Sequence, residues 1–193
     1  MKTPFKVILK EVTCFLNENL PKHLTYHNTT HTLYVLDKAI HIAIKEKVND
    51  KELQLIKIAA LYHDIGFTVS HIEHELEGCK IARNQLQDYK YSKTDIEIIC
   101  GMIMATKIPQ NPQNHLEQIL ADADLEYLAT SRFEPVSELL YKELKHFNED
   151  LTRGQWIQLQ IDFISNHQYH TKYCKHYKSF RKHNNLKTLE SKV

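Results

Sequence analysis

The segment LQLIKIAALYHDIG, at residues 53–66, is apolar on most sides and ends in a histidine, an aspartate and a glycine. Its apolar residues recur at helical spacing, which predicts a helix that begins after the turn signal Asn49-Asp50. A helix that is apolar on most sides is usually buried. We therefore expect this helix to lie at the centre of the fold, with His63 and Asp64 at its end.

Helical periodicity continues on both sides of this segment. Apolar residues at three- and four-residue spacing predict further helices at about residues 5–20, 29–47, 72–89, 92–104, 115–129, 135–147 and 152–166. With only 4 Gly and 5 Pro in 193 residues, the chain is poor in the residues of tight β-turns. We predict an all-α fold, a single compact helical bundle of about eight or nine helices over residues 1–193.

Composition limits the function classes. The 25 Lys and Arg residues balance 24 Asp and Glu residues, which excludes the basic excess of a dedicated nucleic-acid binder. Residues 171–193 carry 7 bases against 1 acid, and we interpret them as a terminal helix or a solvated tail. We expect a cytoplasmic protein with no membrane partner, since the sequence has neither a spanning segment nor a signal peptide, and its 4 cysteines form no CxxC pair.

The 13 histidines are the anomaly of the composition. His31 stands at the start of the second predicted helix, and His63-Asp64 closes the buried one. Asp122 lies in the apolar segment ILADADL, where an ionised carboxylate is costly unless a partner offsets that cost. Imidazole nitrogen and carboxylate oxygen suit Zn, Mn, Fe, Ni, Co or Mg. The ordered set therefore predicts a site for a divalent metal ion.

The pattern His…His-Asp…Asp on an all-α chain resembles the HD superfamily of metal-dependent phosphohydrolases. Two segments carry the resemblance, LYHDIGF at residues 61–67 and ILADADL at residues 119–125. The resemblance implies an enzyme with the HD-type helical bundle. Its metal-binding core would span about residues 25–130, followed by C-terminal helices at residues 131–193.

Carried onto this sequence, the resemblance makes His31, His63, Asp64 and Asp122 the metal ligands, with Asp64 able to bridge two ions. Asp124 is the alternative last ligand, because aspartate recurs after one residue. We prefer Asp122, since it is the first aspartate of the Asp-Ala-Asp segment.

Binuclear members of the superfamily add histidine ligands between the His-Asp pair and the last aspartate. His74 falls in this interval, but Ala105-Thr106-Lys107 stands where a second histidine usually follows. We expect one tight metal site, with a second site possible but incomplete.

The triplet Tyr26-His27-Asn28 resembles the start of cyclic-nucleotide phosphodiesterase catalytic domains, where the histidine donates a proton to the leaving oxygen. His27 can act in this way because an unperturbed histidine titrates near neutrality. The candidate catalytic residues are His27, Asp64, His74 and Glu75. Arg83 and Lys107 are candidate contacts to the substrate phosphate.

The predicted function is hydrolysis of a phosphoester, of a nucleotide or a related small phosphorylated metabolite, by metal-activated water. The main alternative is a non-catalytic metal- or nucleotide-binding helical sensor. Two further rivals are a structural bundle with merely buried histidines and a two-iron oxygenase. The oxygenase would need a complete second metal site, against which Thr106 argues.

Overall fold

The computed structural model describes residues 3–192, which form ten α-helices and two short 3-10 helices and contain no strand. The α-helices are α1 (Phe5–Asn19), α2 (Thr29–Lys45), α3 (Asp50–Tyr62), α4 (His74–Asp88), α5 (Lys93–Met104), α6 (His115–Asp124), α7 (Phe133–Phe147), α8 (Arg153–Asn166), α9 (Lys172–Tyr177) and α10 (Ser179–Glu190). The 3-10 helices are Ile65–Thr68 and Glu126–Ala129. The all-α prediction is confirmed, with slightly more helices than expected.

Helix α3 occupies the centre of the core. It begins with a capping box in which the Asn49 side chain accepts a hydrogen bond from the Glu52 amide at 3.0 Å, and the Glu52 carboxylate accepts one from the Asn49 amide at 2.9 Å. Its side chains are buried from Leu55 to Tyr62 except Lys57, which lies over the ring of Phe5. Helices α1, α2, α5 and α6 pack around it. The buried end of α3 therefore delivers His63 and Asp64 into the interior.

Gly66 allows α4 to approach the end of α3. A Cβ atom at this position would lie 1.8 Å from the His74 carbonyl oxygen and 2.7 Å from the Gly78 amide nitrogen, where no side chain fits. The close approach places the first residue of α4, His74, beside Asp64.

The C-terminal segment packs onto the bundle as α9 and α10 instead of extending into solvent. Lys178 forms an ion pair with the buried Glu126, and Lys182 donates a hydrogen bond to the Ile164 carbonyl at 3.0 Å. Leu189 is buried in a hydrophobic cluster with residues of α7, α8 and the 3-10 helix Glu126–Ala129. Two of the seven basic residues of this segment, Lys178 and Lys182, are thus engaged within the fold.

The predicted helix at residues 115–129 is divided in the structure. Helix α6 ends at Asp124, and a separate 3-10 helix follows at Glu126–Ala129. Over residues 3–192, no helix combines the length and the apolar character needed to cross a membrane.

Candidate metal centre

Three helices bring polar side chains together at the buried end of α3. His31 belongs to the first turn of α2, whose N-cap Asn28 accepts hydrogen bonds from two backbone amides of that turn. His63 and Asp64 follow the last residue of α3, and Asp124 is the last residue of α6. The three helix termini fix these side chains in position before any ligand binds.

The ligand atoms of His31, His63 and Asp124 all lie within 4.8 Å of one another. His31 Nε2 is 3.3 Å from His63 Nε2 and 3.1 Å from Asp124 Oδ1. Asp64 Oδ2 is 3.3 Å from His31 Nε2 and 3.1 Å from His63 Nε2. Ligands held about 2.1 Å from one ion lie about 3–4 Å apart, so this spacing suits a single divalent cation.

The chemistry of these side chains also fits a cation. His63 is 0% exposed, and its Nδ1–H donates to the Ala60 carbonyl at 2.9 Å, which directs Nε2 toward the other candidate ligands. Asp64 Oδ2 is buried and has no hydrogen-bond partner within residues 3–192. A buried nitrogen facing a buried carboxylate oxygen needs either a proton or a metal ion between them.

The two residues of the His-Asp pair shift each other's pKa. Burial alone would raise the pKa of Asp64, but His63 outweighs it, and the pKa lies well below its ordinary value. Burial alone would lower the pKa of His63, but the charge of Asp64 raises it to about 9. A metal ion bound here would compete with a proton for His63 Nε2.

The structure brings Asp124, not Asp122, to the histidines, which favours the alternative last ligand, Asp124, over the preferred Asp122. Asp122 Oδ1 accepts a hydrogen bond from the His170 amide at 2.8 Å, and Oδ2 accepts from the amide and hydroxyl of Thr171 at 2.8 and 2.6 Å. Residues two positions apart on a helix diverge by about 200°. Because Asp122 faces the segment before α9, Asp124 faces His31.

His74 and Glu75 border the centre on the side of Asp64. His74 Nε2 lies 3.5 Å from both Asp64 Oδ1 and Glu75 Oε1, and the imidazole stacks on Phe67 with ring centroids 3.9 Å apart. Glu75 is buried. The structure thus places both residues beside the candidate ligands. Thr106 stands where binuclear members of the superfamily usually have a second histidine. Its hydroxyl donates a hydrogen bond to the Ile103 carbonyl at 2.8 Å.

His27 is held by Glu143 of α7, a residue that the sequence reasoning missed. His27 Nδ1 forms a very short hydrogen bond with Glu143 Oε1, and Glu143 Oε2 accepts from the amides of Tyr26 and His27 at 2.8 and 3.0 Å. Burial would lower the pKa of His27, but Glu143 and the charge of Asp64 raise it above its ordinary value. The one signal for Glu143 in the sequence is its position seven residues after Val136 and three after Leu140, which belong to the apolar face of α7.

The two candidate phosphate contacts have different positions. Arg83 donates through Nε and Nη2 to Glu97 of α5, both at 2.8 Å, on the outer surface of α4. Nine residues separate it from His74, which is about 13 Å along a helix. The structure therefore does not bring Arg83 to the centre. Lys107 pairs with Glu73, the residue before His74, and stands at the edge of the centre.

A cavity of about 440 Å³ extends from the candidate metal centre to α7 and α8. His27 and Asp124 form the end of this cavity nearest the centre. Most of the other lining residues are apolar: Ile108, Leu125, Leu128, Phe133, Leu140, Leu144, Leu159, Phe163 and Ile164. We refer to it as the apolar cavity. Its volume lies within the range of small-molecule sites, about 300–1,000 Å³.

An all-α bundle with buried histidines and aspartates at helix ends defines a class of helical metal-binding hydrolases. Residues 28–126, just over half of the chain, match the model of the HD domain family. The chain belongs to this family, and the sequence resemblance is confirmed. Membership supports a metal-dependent hydrolase. Among curated protein sequences, none matches this chain.

Solved structures with the same fold include three bacterial proteins. A predicted HD superfamily hydrolase from an uncultured Thermotogales bacterium is 21% identical, with a TM-score of 0.55 over 81% of this chain and 89% of that one. Bacillus subtilis YpgQ, solved in complex with ADP, is 17% identical, with a TM-score of 0.61 over 98% and 96%. A Lactobacillus plantarum protein is 14% identical, with a TM-score of 0.68 over 100% and 98%. At these identities the similarity shows the fold alone.

Proposed function

We propose that this protein hydrolyses a phosphoester of a small molecule and that His31, His63, Asp64 and Asp124 hold the divalent cation that the reaction needs. The observation that carries the proposal is the meeting of these side chains at one buried point that borders a cavity. Family membership and the ADP complex of Bacillus subtilis YpgQ support a phosphorylated ligand.

The cation, when bound, lowers the pKa of water toward neutrality and polarises a phosphoryl oxygen. The protein's own residues position the phosphate and move protons around it. His74 lies beside Asp64, and Lys107 pairs with Glu73, the residue before α4. In these positions both side chains can contact the phosphate oxygens. The positive charge of Lys107 would stabilise the negative charge that develops in the transition state, and His74 would contact the same oxygens.

His27 is proposed as the proton donor to the leaving group. Glu143 engages Nδ1, which leaves Nε2–H as the donor. In the reaction a water oxygen bonds to phosphorus, the bond between phosphorus and the ester oxygen breaks, and that oxygen takes the proton from His27 Nε2. Glu75, buried beside His74, is the candidate base for the proton lost by water. The products are inorganic or monoester phosphate and the free alcohol.

The proposal is tested with the purified protein, its metal content and a substrate panel. The panel contains phosphomonoesters, nucleotides and cyclic nucleotides, each assayed with Mn, Fe, Ni, Co, Zn or Mg. We expect turnover with at least one metal and a loss of about 10²–10⁴-fold in kcat for His27→Gln, the usual contribution of acid–base catalysis. Tight metal binding without turnover of any ester would instead support the non-catalytic sensor.

A further inference from the structure

The wall of the apolar cavity contains few polar groups. Tyr26 and Tyr127 both line it, with their ring centroids 5.8 Å apart. Gln160 Oε1 accepts a hydrogen bond from Ser137, and Gln160 Nε2 lies 3.4 Å from the Trp156 carbonyl oxygen, to which it donates. Among the fully buried polar atoms of the lining side chains beyond the metal end, within residues 3–192, only Trp156 Nε1–H has no partner.

The cavity is apolar as far as its mouth. Ile108 and Leu159 both line it, and they are 49% and 52% exposed. A ligand that enters past these two side chains therefore meets mostly apolar side chains before it reaches His27 and Asp124 at the inner end. No lining residue other than these two carries a charge at neutral pH.

A nucleoside is a poor match for this wall. A ribose and a base bring several hydroxyl, amino and ring-nitrogen groups, which lose water on entry and need partners in the site. Beyond His27 and Asp124, the wall offers only the polar groups of Tyr26, Tyr127, Trp156 and Gln160 among nine aliphatic and phenylalanine side chains. An alkyl or aryl group loses nothing on entry and gains affinity through burial.

From this match we infer that the apolar cavity binds the organic part of the substrate and that this part is a hydrocarbon. The substrate class is then a phosphate ester of an apolar alcohol or phenol, with its phosphate at the metal centre and its alkyl or aryl group between α7 and α8. This inference rests on the proposed function for the identity of the reaction, but occupancy of the cavity is measurable without turnover.

Trp156 provides the readout, because it is the only tryptophan of the chain and it lines the cavity. The metal-loaded protein is titrated with methyl-, butyl-, hexyl- and phenylphosphonate, which have no ester bond to hydrolyse, and with AMP. Intrinsic fluorescence reports binding. We expect the affinity to rise by roughly fourfold for each added methylene until the cavity is filled, as burial of a CH₂ group predicts. AMP should bind more weakly than hexylphosphonate.

A matched pair of surface variants tests the location. Leu159→Gln places an amide at the cavity mouth, on a half-exposed position that tolerates a polar side chain. Ile44→Gln makes the same change on α2, at a position that is 61% exposed and lies outside the cavity lining. We expect Leu159→Gln to weaken hexylphosphonate by about tenfold with little effect on methylphosphonate. Ile44→Gln should leave both affinities unchanged.

The outcomes separate the two proposals. Chain-length-dependent binding with no hydrolysis of any ester supports the inference and removes the hydrolase. Hydrolysis of nucleotides, together with phosphonate affinities that do not change with chain length or that respond equally to both variants, overturns the inference and leaves the hydrolase standing. Tighter binding of AMP than of every alkylphosphonate also overturns it.

Discussion

Asp122 and Asp124 are carboxylates of the same helix, two residues apart, and the fold gives them opposite tasks. Asp122 is 0% exposed and is surrounded by hydrogen-bond donors from residues 170 and 171. Asp124 is partly exposed and faces His31 and the apolar cavity. Burial raises the pKa of Asp122 despite its donors. The donors around Asp122 tie its carboxylate to the fold, whereas Asp124 faces the other candidate ligands and has a carboxylate oxygen available to a cation.

Substitution of each aspartate by asparagine should have the largest and most contrasting effects. Asp124→Asn removes a ligand charge, so we expect metal affinity to fall by more than about 100-fold, since even outer partners of ligands contribute about 10–100-fold. Asp122→Asn should keep the metal affinity and lower the free energy of unfolding by about 1–3 kcal/mol, because a buried amide cannot accept all three hydrogen bonds. Metal titration and urea unfolding measure the two effects.

The roles given to the two aspartates would be contradicted if Asp122→Asn lost the metal while Asp124→Asn retained it. Both variants must first show unchanged helix content by circular dichroism. With both folded, a metal affinity that follows residue 122 would restore the assignment made from the sequence.

The next largest expected effect concerns stability and comes from the packing of α4 against α3. Gly66→Ala should lower the free energy of unfolding by about 3 kcal/mol, because its Cβ would overlap the His74 carbonyl oxygen. Gly154→Ala is the control: nothing lies within 4 Å of a Cβ there, and alanine in α8 should stabilise by up to about 1 kcal/mol. Urea unfolding of both variants measures the difference, and equal values would show that α4 is free to move away.

The His27–Glu143 pair makes a pH-dependent contribution. The pKa of His27 is raised in the folded protein, so its contribution is complete below pH 6.5, its ordinary pKa, and is lost as pH rises through the folded value. The pKa of Glu143 is lowered, despite burial, by His27 and the two amides, so its contribution is complete above pH 4.5 and is lost as pH falls. The pair therefore stabilises most between about pH 4.5 and 6.5.

Glu143→Gln tests this window. We expect the difference in free energy of unfolding between wild type and variant to reach about 1.5–3 kcal/mol inside it and to decrease on both sides. Urea unfolding at a series of pH values measures it. A difference that does not change with pH would mean that His27 stays neutral and that only the amide contacts of Glu143 count.

The sequence was sufficient to predict the part of the candidate site in which side chains meet at the ends of neighbouring helices. His31, His63 and Asp64 could be expected near one another because the helix boundaries and the pattern around them are local. The choice between Asp122 and Asp124 could not be made from the sequence, because apolar residues flank both and do not define the rotation of α6. Glu143 lies 116 residues from His27, and its contact depends on how α7 packs. The apolar cavity was not foreseen for the same reason.

Substitutions of Arg83 and Lys107 have the smallest expected effects. They test which of these two surface cations contacts the substrate phosphate, the role predicted for both. Lys107→Ala should raise KM by up to about tenfold, the size of one charge-assisted hydrogen bond to phosphate, with little change in kcat. Arg83→Ala should leave both constants unchanged. The Arg83 guanidinium pairs with Glu97 of α5, at a part of α4 that is distant from the metal centre. Steady-state kinetics on the best substrate of the panel measures both. An increase in KM for Arg83→Ala alone would mean that the phosphate binds along α4, away from His74, and that the substrate does not enter through the mouth formed by Ile108 and Leu159.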